Sequence, residues 1–503
     1  MSQNCKIEIK EAEECIVVEF KIDQNIKTEF PHYWEMCVGS CHAYTALRAD
    51  YRKQLKRAHD ELGFKYVRFH GLLDDDMCVL IKKTDFMGND LGLVYNFINI
   101  DNICDYLLEI GMKPFLELGF MPTALASGDK TVFHYKGNIT PPEDYDAWAE
   151  LISRLVEHLI ERYSLKEVKQ WFFEVWNEPN LTIFFAGTKE EYFKLYEVTA
   201  RTIKSINNDL KVGGPATSCN SWITDTIEFC EKNEVPLDFI STHHYPTDDP
   251  LWKSGMDIMD FFKSGLAGAK GSYERGILKK MTARAREEAG NYPLYYTEWN
   301  TSAMTGDNKH DECFASAMIA KILVDNDGLT EGYSYWTFTD IFEEGSQIPG
   351  AFHGGFGLQT YAGIAKPAYR LFELFHGLGE KRIGVTSDKE DSTVEMLATE
   401  TKNCYRRAVY NHNIPEEPIS EEVVIINLSE LTSSKEVTAY RIDEEHANAK
   451  ALWMTMGSPE YLKPADVDKL HEASSLNKEV MECDGSIKFT IPAHGVVVID
   501  VVK

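Results

Sequence analysis

The chain has 503 residues, of which 44% are hydrophobic and 26% are charged, so it is neither a disordered chain nor a coiled-coil array. Its length exceeds that of one ordinary domain and would accommodate a (β/α)8 barrel of about 250 residues or more together with a smaller module. A formal net charge of −28 argues against a nucleic-acid partner, because phosphate binding needs clustered Lys and Arg.

Two β-rich segments, KIEIK and CIVVEFKI, open the chain within residues 1–29. Neither resembles a secretory leader, which has a basic segment followed by an apolar one, and no run in the chain approaches the ~20 apolar residues of a membrane span. We therefore expect a cytoplasmic protein with no membrane partner. The opening strands need partners, and we expect them to join the C-terminal module.

The eleven cysteines are an odd number and include no C-x-x-C pair. Several of them, Cys37, Cys78, Cys104 and Cys230, lie in apolar runs. This pattern is typical of reduced thiols in the cytosol and argues against a disulfide framework or a zinc site.

Between residues 30 and 372, short apolar runs alternate with longer amphipathic stretches, which is typical of βα units in a parallel barrel. Helical periodicity is clear at 144–163 and 190–208, where apolar residues recur three and four apart. The pattern predicts an α/β fold, a TIM barrel, with strands at 33–40, 64–71, 113–120, 171–178, 211–216, 237–245, 294–300 and 332–340.

Most of these strands end in polar, aromatic or charged residues where a turn should follow. In a TIM barrel the carboxyl ends of the strands form one mouth, and active sites lie there. One polar strand end is commonplace, but six of them indicate a site. The residues concerned are Arg68, His70, Glu117, Asn177, Glu178, His243 to Tyr245, Glu298, Trp299 and Trp336 to Asp340.

After residue 373 the helical periodicity fades and alternating strands appear, which predicts an accessory β-sandwich over residues 373–503. We find no internal repeat and no low-complexity linker, so we expect the two modules to pack together. The strand-like segments are CYRRAVYNHN, EEVVIINLS, EVTAYRID, SIKFTIPA and GVVVIDVVK.

The segment FFEVWNEPN, at 172–180, ends a β-rich run in an Asn–Glu pair followed by Pro179. A carboxylic acid near Phe173 and Trp176 could be desolvated enough to have the raised pKa that a general acid needs. Asn177 could hydrogen-bond a sugar hydroxyl. Taken alone, this short motif also matches an ordinary strand end with a surface glutamate, Glu178.

A second carboxylate in a similar setting strengthens the interpretation. The segment LYYTEWN, at 294–300, places Glu298 at the end of another aromatic strand, three strands later and across the mouth from Glu178. Retaining glycosidases need two carboxyl groups roughly 5–5.5 Å apart, one to protonate the leaving oxygen and one to attack the anomeric carbon. The pair therefore predicts glycoside hydrolysis.

The chain resembles glycoside hydrolase family 39, the β-xylosidases and α-L-iduronidases, in the clan of retaining glycosidases with glutamates on barrel strands four and seven. The similarity runs through the whole barrel in order, which makes it more specific than one motif. The matching stretches are YVRFHGLLDDDM, PFLELGFMPTALASG, FEVWNEPNL, STHHYP, YYTEWNTS, YWTFTDIFEE and FHGGFGL.

This resemblance implies the roles of individual residues. Glu178 would be the acid/base and Glu298 the nucleophile of a double displacement through a covalent glycosyl-enzyme. The residues implied to bind substrate are Asn177, His243 and Tyr245 around the bond-breaking subsite, Glu344 as an acidic ligand to sugar hydroxyls, Trp336 as a stacking platform, and His70 and Phe120. The family often forms oligomers, so a homo-oligomer is also implied.

A metal site is one alternative, because His243, His244 and nearby acids could bind zinc. Adjacent residues of a strand point to opposite faces, so only one of the two histidines can face the mouth. We therefore expect no metal and no other cofactor.

Two further alternatives concern the sugar. A non-catalytic carbohydrate-binding protein would keep the aromatic cleft, although the presence of both glutamates favours catalysis. An α-L-iduronidase would bind a sugar that carries a carboxylate, which Glu344 would repel. We expect instead an exo-acting β-xylosidase that releases xylose from the non-reducing ends of short xylo-oligosaccharides.

Overall fold

The computed structural model describes residues 17–254, 256, 258–264, 274–345, 348–428, 436–481, 483 and 485–503. The predicted strand KIEIK lies outside these residues. Within them, no helix is long and apolar enough to cross a membrane.

The described residues form 21 strands, which belong to a barrel, a large sheet and two small hairpins. In chain order they are β1 (Val17–Glu29), β2 (Cys37–His42), β3 (Tyr66–His70), β4 (Leu80–Thr84), β5 (Asp90–Tyr95), β6 (Lys113–Leu118), β7 (Thr131–Val132), β8 (Gly137–Asn138), β9 (Phe172–Val175), β10 (Lys211–Thr217), β11 (Phe239–His244), β12 (Leu294–Trp299), β13 (Gly332–Tyr335), β14 (Lys381–Ser387), β15 (Val394–Glu400), β16 (Cys404–Asn411), β17 (Glu422–Asn427), β18 (Val437–Ile442), β19 (Glu479–Met481), β20 (Ser486–Ile491) and β21 (Val496–Val502).

The α-helices alternate with the barrel strands, and two more lie in the C-terminal module. They are α1 (Ala49–Leu62), α2 (Ile98–Glu109), α3 (Tyr145–Tyr163), α4 (Leu165–Val168), α5 (Lys189–Ile206), α6 (Ile223–Asn233), α7 (Asp249–Ser254), α8 (Ile258–Lys263), α9 (Ile277–Ala289), α10 (Cys313–Asp325), α11 (Pro367–His376), α12 (Ala449–Thr455) and α13 (Pro464–Ala473).

Eight parallel strands close into a barrel in the order β10-β11-β12-β13-β2-β3-β6-β9. Each of the eight predicted strands corresponds to one of them, so the predicted TIM barrel is confirmed. Several strands end earlier than predicted. The fourth barrel strand, β9, stops at Val175 rather than at residue 178, because Trp176 and Glu178 adopt left-handed backbone angles, with φ of 73° and 43°, that interrupt the ladder.

The helix starts follow local chemistry. Helix α5 begins with a capping box in which the Thr188 hydroxyl accepts a hydrogen bond from the Glu191 backbone N–H and the Glu191 carboxylate accepts one from that of Thr188. Helix α3 begins after Asp144, whose side chain accepts from two backbone N–H groups. Both helices match the two stretches in which the sequence has helical periodicity.

Four aromatic rings pack together inside the barrel below the mouth: Phe115, Phe172, Phe239 and Tyr295. Because side chains alternate along a strand, the residue two positions later on the same strand faces the same interior one level nearer the mouth. On β6, β9 and β12 these residues are Glu117, Glu174 and Thr297, and all three are buried. The barrel therefore has an apolar layer beneath a polar one.

The C-terminal module is a nine-stranded sheet in the order β19-β18-β21-β16-β15-β14-β1-β17-β20. Strand β1, which precedes the barrel in the chain, lies between β14 and β17, antiparallel to the first and parallel to the second. Residues from both ends of the sheet, such as Ile426 and Val437, share one hydrophobic core. The accessory β-module beside the barrel is therefore as expected, and the domain limits at residues 30 and 372 stay a prediction.

Helices α12 and α13 correct the expectation that the C-terminal module is built of strands alone. They lie between β18 and β19 and pack on the long loop that follows the last barrel strand, with Leu470 of α13 in one cluster with Phe352 and Ile364. The described cysteines are free thiols, and Cys37, Cys104 and Cys230 are buried.

Candidate active site

Glu178 lies at the mouth, just beyond the end of β9, and is only 7% exposed. Its carboxylate oxygen Oε1 is 3.0 Å from Nδ1 of His243, and the Ser218 hydroxyl also contacts it. Burial raises the pKa of Glu178 to about 7, although the Ser218 hydrogen bond and the Arg68 charge oppose that rise. Glu178 is therefore a carboxyl group that can hold a proton near neutral pH.

Glu298 lies on β12 and is 8% exposed. The Tyr245 hydroxyl donates a hydrogen bond of 2.6 Å to its Oε1, and a guanidinium nitrogen of Arg68 lies 3.5 Å from its Oε2. Burial raises the pKa of Glu298 and the charge of Glu178 raises it further, while the Arg68 guanidinium acts against the rise. Two donors thus face this carboxylate and favour its charged form.

The two carboxyl groups are close together. An oxygen of Glu178, an oxygen of Glu298 and a ring nitrogen of His243 all lie within 4.8 Å of one another. This separation is comparable to the carboxyl spacing of about 5–5.5 Å in retaining glycosidases and leaves little room for the extra water of an inverting enzyme.

Arg68 lies beneath both carboxylates and is completely buried. Its guanidinium is 2.5 Å from Glu174, 2.9 Å from Glu117 and 3.5 Å from Glu298, and it donates a 2.8 Å hydrogen bond to the Asn177 side-chain oxygen. Arg68 therefore holds Asn177 in place and carries the positive charge that balances three buried carboxylates.

The two adjacent histidines point in opposite directions, as expected. His243 faces the mouth, where Nδ1 contacts Glu178 and Nε2 lies 3.1 Å from the Thr297 hydroxyl. His244 faces the outer layer, stacks on Tyr296 at 4.0 Å and contacts the Tyr333 hydroxyl at 2.6 Å. The histidine pair that the zinc alternative needs does not converge.

The remaining predicted residues line the same mouth around His70. The His70 ring is 2.6 Å from Glu117 through Nδ1, and Nε2 is 3.7 Å from Glu344 and 4.0 Å from Glu298. Trp336 packs against this ring at 4.7 Å and Phe120 at 6.2 Å.

Burial raises the pKa of Glu344 well above its ordinary value, and the nearby charges of Glu298 and Glu178 raise it further.

Trp336 also explains a glycine on β2. A Cβ atom at Gly39 would lie 2.6 Å from the indole ring.

All nine predicted site residues therefore meet at one mouth. Sequence reasoning did not assign Glu174, Thr297 or Ser218 to the site, and it noted Arg68 and Glu117 only as polar strand ends. The signal for Glu174 and Thr297 was the two-residue period, which puts them on the interior face above Phe172 and Tyr295.

A closed (β/α)8 barrel with two buried carboxyl groups facing each other at the carboxyl ends of its strands defines a glycoside hydrolase. The chain belongs to the family "Glycosyl hydrolases family 39", whose model matches residues 18–488. The family resemblance in the sequence is thus confirmed.

Known proteins resemble the chain over almost its whole length. It is 50% identical to a β-xylosidase of Caldicellulosiruptor saccharolyticus over 450 residues, which cover 89% of each chain. It is 37% identical to a β-xylosidase of Geobacillus stearothermophilus, over 93% of this chain and 92% of the relative. A monomeric β-xylosidase of Caulobacter crescentus CB15 has a similar structure, with a TM-score of 0.83, 30% identity, and coverage of 97% of this chain and 99% of the other.

Proposed function

We propose that the chain is a retaining β-xylosidase in which Glu298 attacks the anomeric carbon while Glu178 protonates the departing oxygen. A covalent glycosyl-enzyme forms with inversion, and water deprotonated by Glu178 then releases the sugar with a second inversion. The observation that carries the proposal is the pair of buried carboxyl groups within 4.8 Å. The likeness to two β-xylosidases over about 90% of their length supports the sugar.

The surroundings of the two carboxyl groups distinguish their roles. Glu298 receives the Tyr245 hydroxyl and lies near Arg68, which favours an ionised nucleophile. Glu178 is desolvated and has a pKa raised to about 7, which suits a general acid. The charge of one carboxylate favours the proton on the other, so when Glu298 is glycosylated, Glu178 becomes the stronger acid and can serve as base.

A neutral pentose suits the charges at this mouth. The Arg68 guanidinium already contacts three carboxylates, and Glu344 adds a further acid beside His70. A uronate would bring another negative charge into this buried group, which supports a xyloside over an iduronide. In this proposal Asn177, Tyr245 and Glu344 bind sugar hydroxyls, and His243 lies at the bond-breaking subsite through its contact with Glu178. Trp336, His70 and Phe120 line the ring's pocket.

The near-complete burial of both glutamates supports a pocket that admits one chain end, and hence exo-action on short xylo-oligosaccharides. We further propose that the enzyme needs no cofactor, works in the cytoplasm on xylo-oligosaccharides that are imported or made inside the cell, and forms a homo-oligomer. The competing function, carbohydrate binding without turnover, does not require the raised pKa of Glu178.

Trapping with a 2-deoxy-2-fluoro xyloside bearing a dinitrophenolate leaving group, followed by peptide mapping, tests the proposal. We expect one covalent sugar on Glu298. Glu298→Gln should remain unlabelled, while Glu178→Gln, the matched control, should still be labelled because this leaving group needs no acid. A label elsewhere, or rapid turnover of aryl iduronide and not of aryl xyloside, would overturn it.

A further inference from the structure

A chain of contacts runs from Glu178 into the polar layer of the barrel. Glu178 Oε1 is 3.0 Å from His243 Nδ1, and His243 Nε2 is 3.1 Å from the Thr297 hydroxyl oxygen. That hydroxyl lies 2.8 Å from Glu174 Oε1, and the other oxygen of Glu174 pairs with Arg68. Glu178 is 7% exposed, and the other four side chains are each at most 1% exposed.

The direction of each hydrogen bond follows from the residue at the end. Glu174 is paired with a buried guanidinium, so it is a carboxylate and can only accept. The Thr297 hydroxyl therefore donates its single proton to Glu174, and its oxygen is left as an acceptor. His243 must then donate to Thr297 from Nε2, so the proton of the neutral imidazole lies on Nε2 and Nδ1 has a free lone pair.

We propose that Thr297 and Glu174 are positioning residues that fix His243 as the Nε2–H tautomer, so that its Nδ1 accepts a hydrogen bond from Glu178 only when Glu178 is protonated. The inference rests on the proposed function, because it concerns the acid of that reaction. The buried pair Thr297 and Glu174 thus keeps the acid in its proton-loaded form.

The proton balance is simple. In the first step the O–H bond of Glu178 breaks as the proton passes to the departing glycosidic oxygen, and in the second step a proton from the attacking water returns to Glu178. His243 keeps its Nε2 proton throughout. The deprotonated carboxylate then faces a lone pair on Nδ1, which makes it a stronger base for that water.

The electrostatics agree with this assignment. Burial lowers the pKa of His243 to about 4, with Arg68 and His70 acting in the same direction and Glu298 against it, so the imidazole is neutral at pH 7. Burial raises the pKa of Glu178 to about 7. The titratable and charged groups that face this pair from the neighbouring elements are Arg68, His70, Glu117, Glu174, Cys219, His244, Tyr245, Asp248, Glu298 and Glu344.

A nearly isosteric pair of variants tests the proposal. Thr297→Val removes the hydroxyl that accepts from Nε2, and Thr297→Ser keeps it. We expect Thr297→Val to move the basic limb of the kcat/KM profile for xylobiose to lower pH by about one unit. At pH values above the limb, kcat/KM should therefore fall by about tenfold relative to the parent. A dinitrophenyl xyloside needs no acid, so both variants should hydrolyse it at the same rate, and that rate should not fall along the basic limb. Thr297→Ser should retain the parent pH profile for xylobiose.

A spectroscopic readout separates this inference from the reaction itself. In the full-length parent protein at pH 7, 15N NMR of the His243 ring, assigned with a His243→Gln variant, should show a protonated Nε2 and a bare Nδ1. A proton on Nδ1 would overturn the inference whatever the activity, and so would a folded Thr297→Val enzyme with an unmoved basic limb. Absence of xyloside turnover in the parent would instead contradict the proposed function while leaving the tautomer measurable.

Discussion

At the scale of single residues, the activity lost when Glu178 is replaced is expected to increase with the leaving group's need for protonation. Glu178→Ala should lose far more kcat/KM on xylobiose than on an aryl xyloside with an acidic phenol, because a good leaving group departs without protonation, and we expect about 10²- to 10⁴-fold on the former. Steady-state kinetics on the two substrates measure the difference. Glu298→Ala should lose both activities, and equal losses in Glu178→Ala would count against its acid role.

A second prediction at the residue scale concerns Tyr245. Its hydroxyl donates to Glu298, and burial raises the Tyr245 pKa, so the donor stays protonated. In Tyr245→Phe the carboxylate loses a donor that stabilises it when it leaves the sugar, so deglycosylation should slow by about 10- to 100-fold and the glycosyl-enzyme should accumulate. The pKa of Glu298 should rise, because its charged form loses a hydrogen bond, and the acidic limb of kcat/KM should move to higher pH.

Burst kinetics and a pH profile check the Tyr245→Phe prediction. Tyr333→Phe is a matched control, because that buried hydroxyl contacts His244 on the outer side of β11 instead of Glu298. An unchanged acidic limb in Tyr245→Phe would show that the hydrogen bond does not set the ionisation of the nucleophile.

At the scale of elements, the barrel and both catalytic strand ends could be predicted because their information is local. Alternating βα patterns and the segments FFEVWNEPN and LYYTEWN lie within short windows of the sequence. The pairing of Arg68 with Glu174 could not be predicted, because the partners are 106 residues apart and nothing in either strand identifies the other. The two-residue period predicts only that Glu174 faces inward, and not what neutralises it.

Helices α12 and α13 were missed although local signals were present. Helix α13 begins with a proline at its first turn, a common helix start, and has a buried Leu470 on one face. The two helices are short and lie between strongly alternating strands, which dominated the interpretation of that region. Their packing on the loop that carries Glu344 is a tertiary feature, and a local pattern cannot reveal it.

The packing of α12 and α13 on this loop leads to a prediction at the scale of elements. Leu470→Ala should leave a cavity between α13 and the loop and lower the free energy of unfolding by about 2–4 kcal/mol. Because the same loop carries Glu344 to the mouth, KM for xylobiose should rise as well. Thermal denaturation and steady-state kinetics check both effects against Met454→Ala on α12, a control whose side chain is 59% exposed. A stable Leu470→Ala enzyme with an unchanged KM would contradict the role of the helix pair.

At the scale of the whole molecule, the two modules share contacts as well as a chain. Arg275, just before α9, donates to the backbone oxygens of His412 and Thr393 at 2.9 and 3.1 Å and pairs with Glu395. Lys321 of α10 pairs with the same Glu395 at 2.9 Å. These contacts join barrel helices to the sheet, so the two modules are expected to unfold together.

Strand β1 offers a test of this coupling, because it separates β14 from β17 and is their shared hydrogen-bonding neighbour. Phe20 of β1 is 2% exposed in the core of the sheet, so Phe20→Ala should lower the free energy of unfolding by about 3–5 kcal/mol. Ile26→Ala, on the same strand at 55% exposure, should change it by less than about 0.5 kcal/mol. Because the modules share the contacts of Arg275 and Lys321, Phe20→Ala should lower the midpoint at which xylosidase activity is lost together with the midpoint of the sheet in calorimetry. Two separate transitions, with only the first displaced, would mean that the barrel holds its site without help from the sheet.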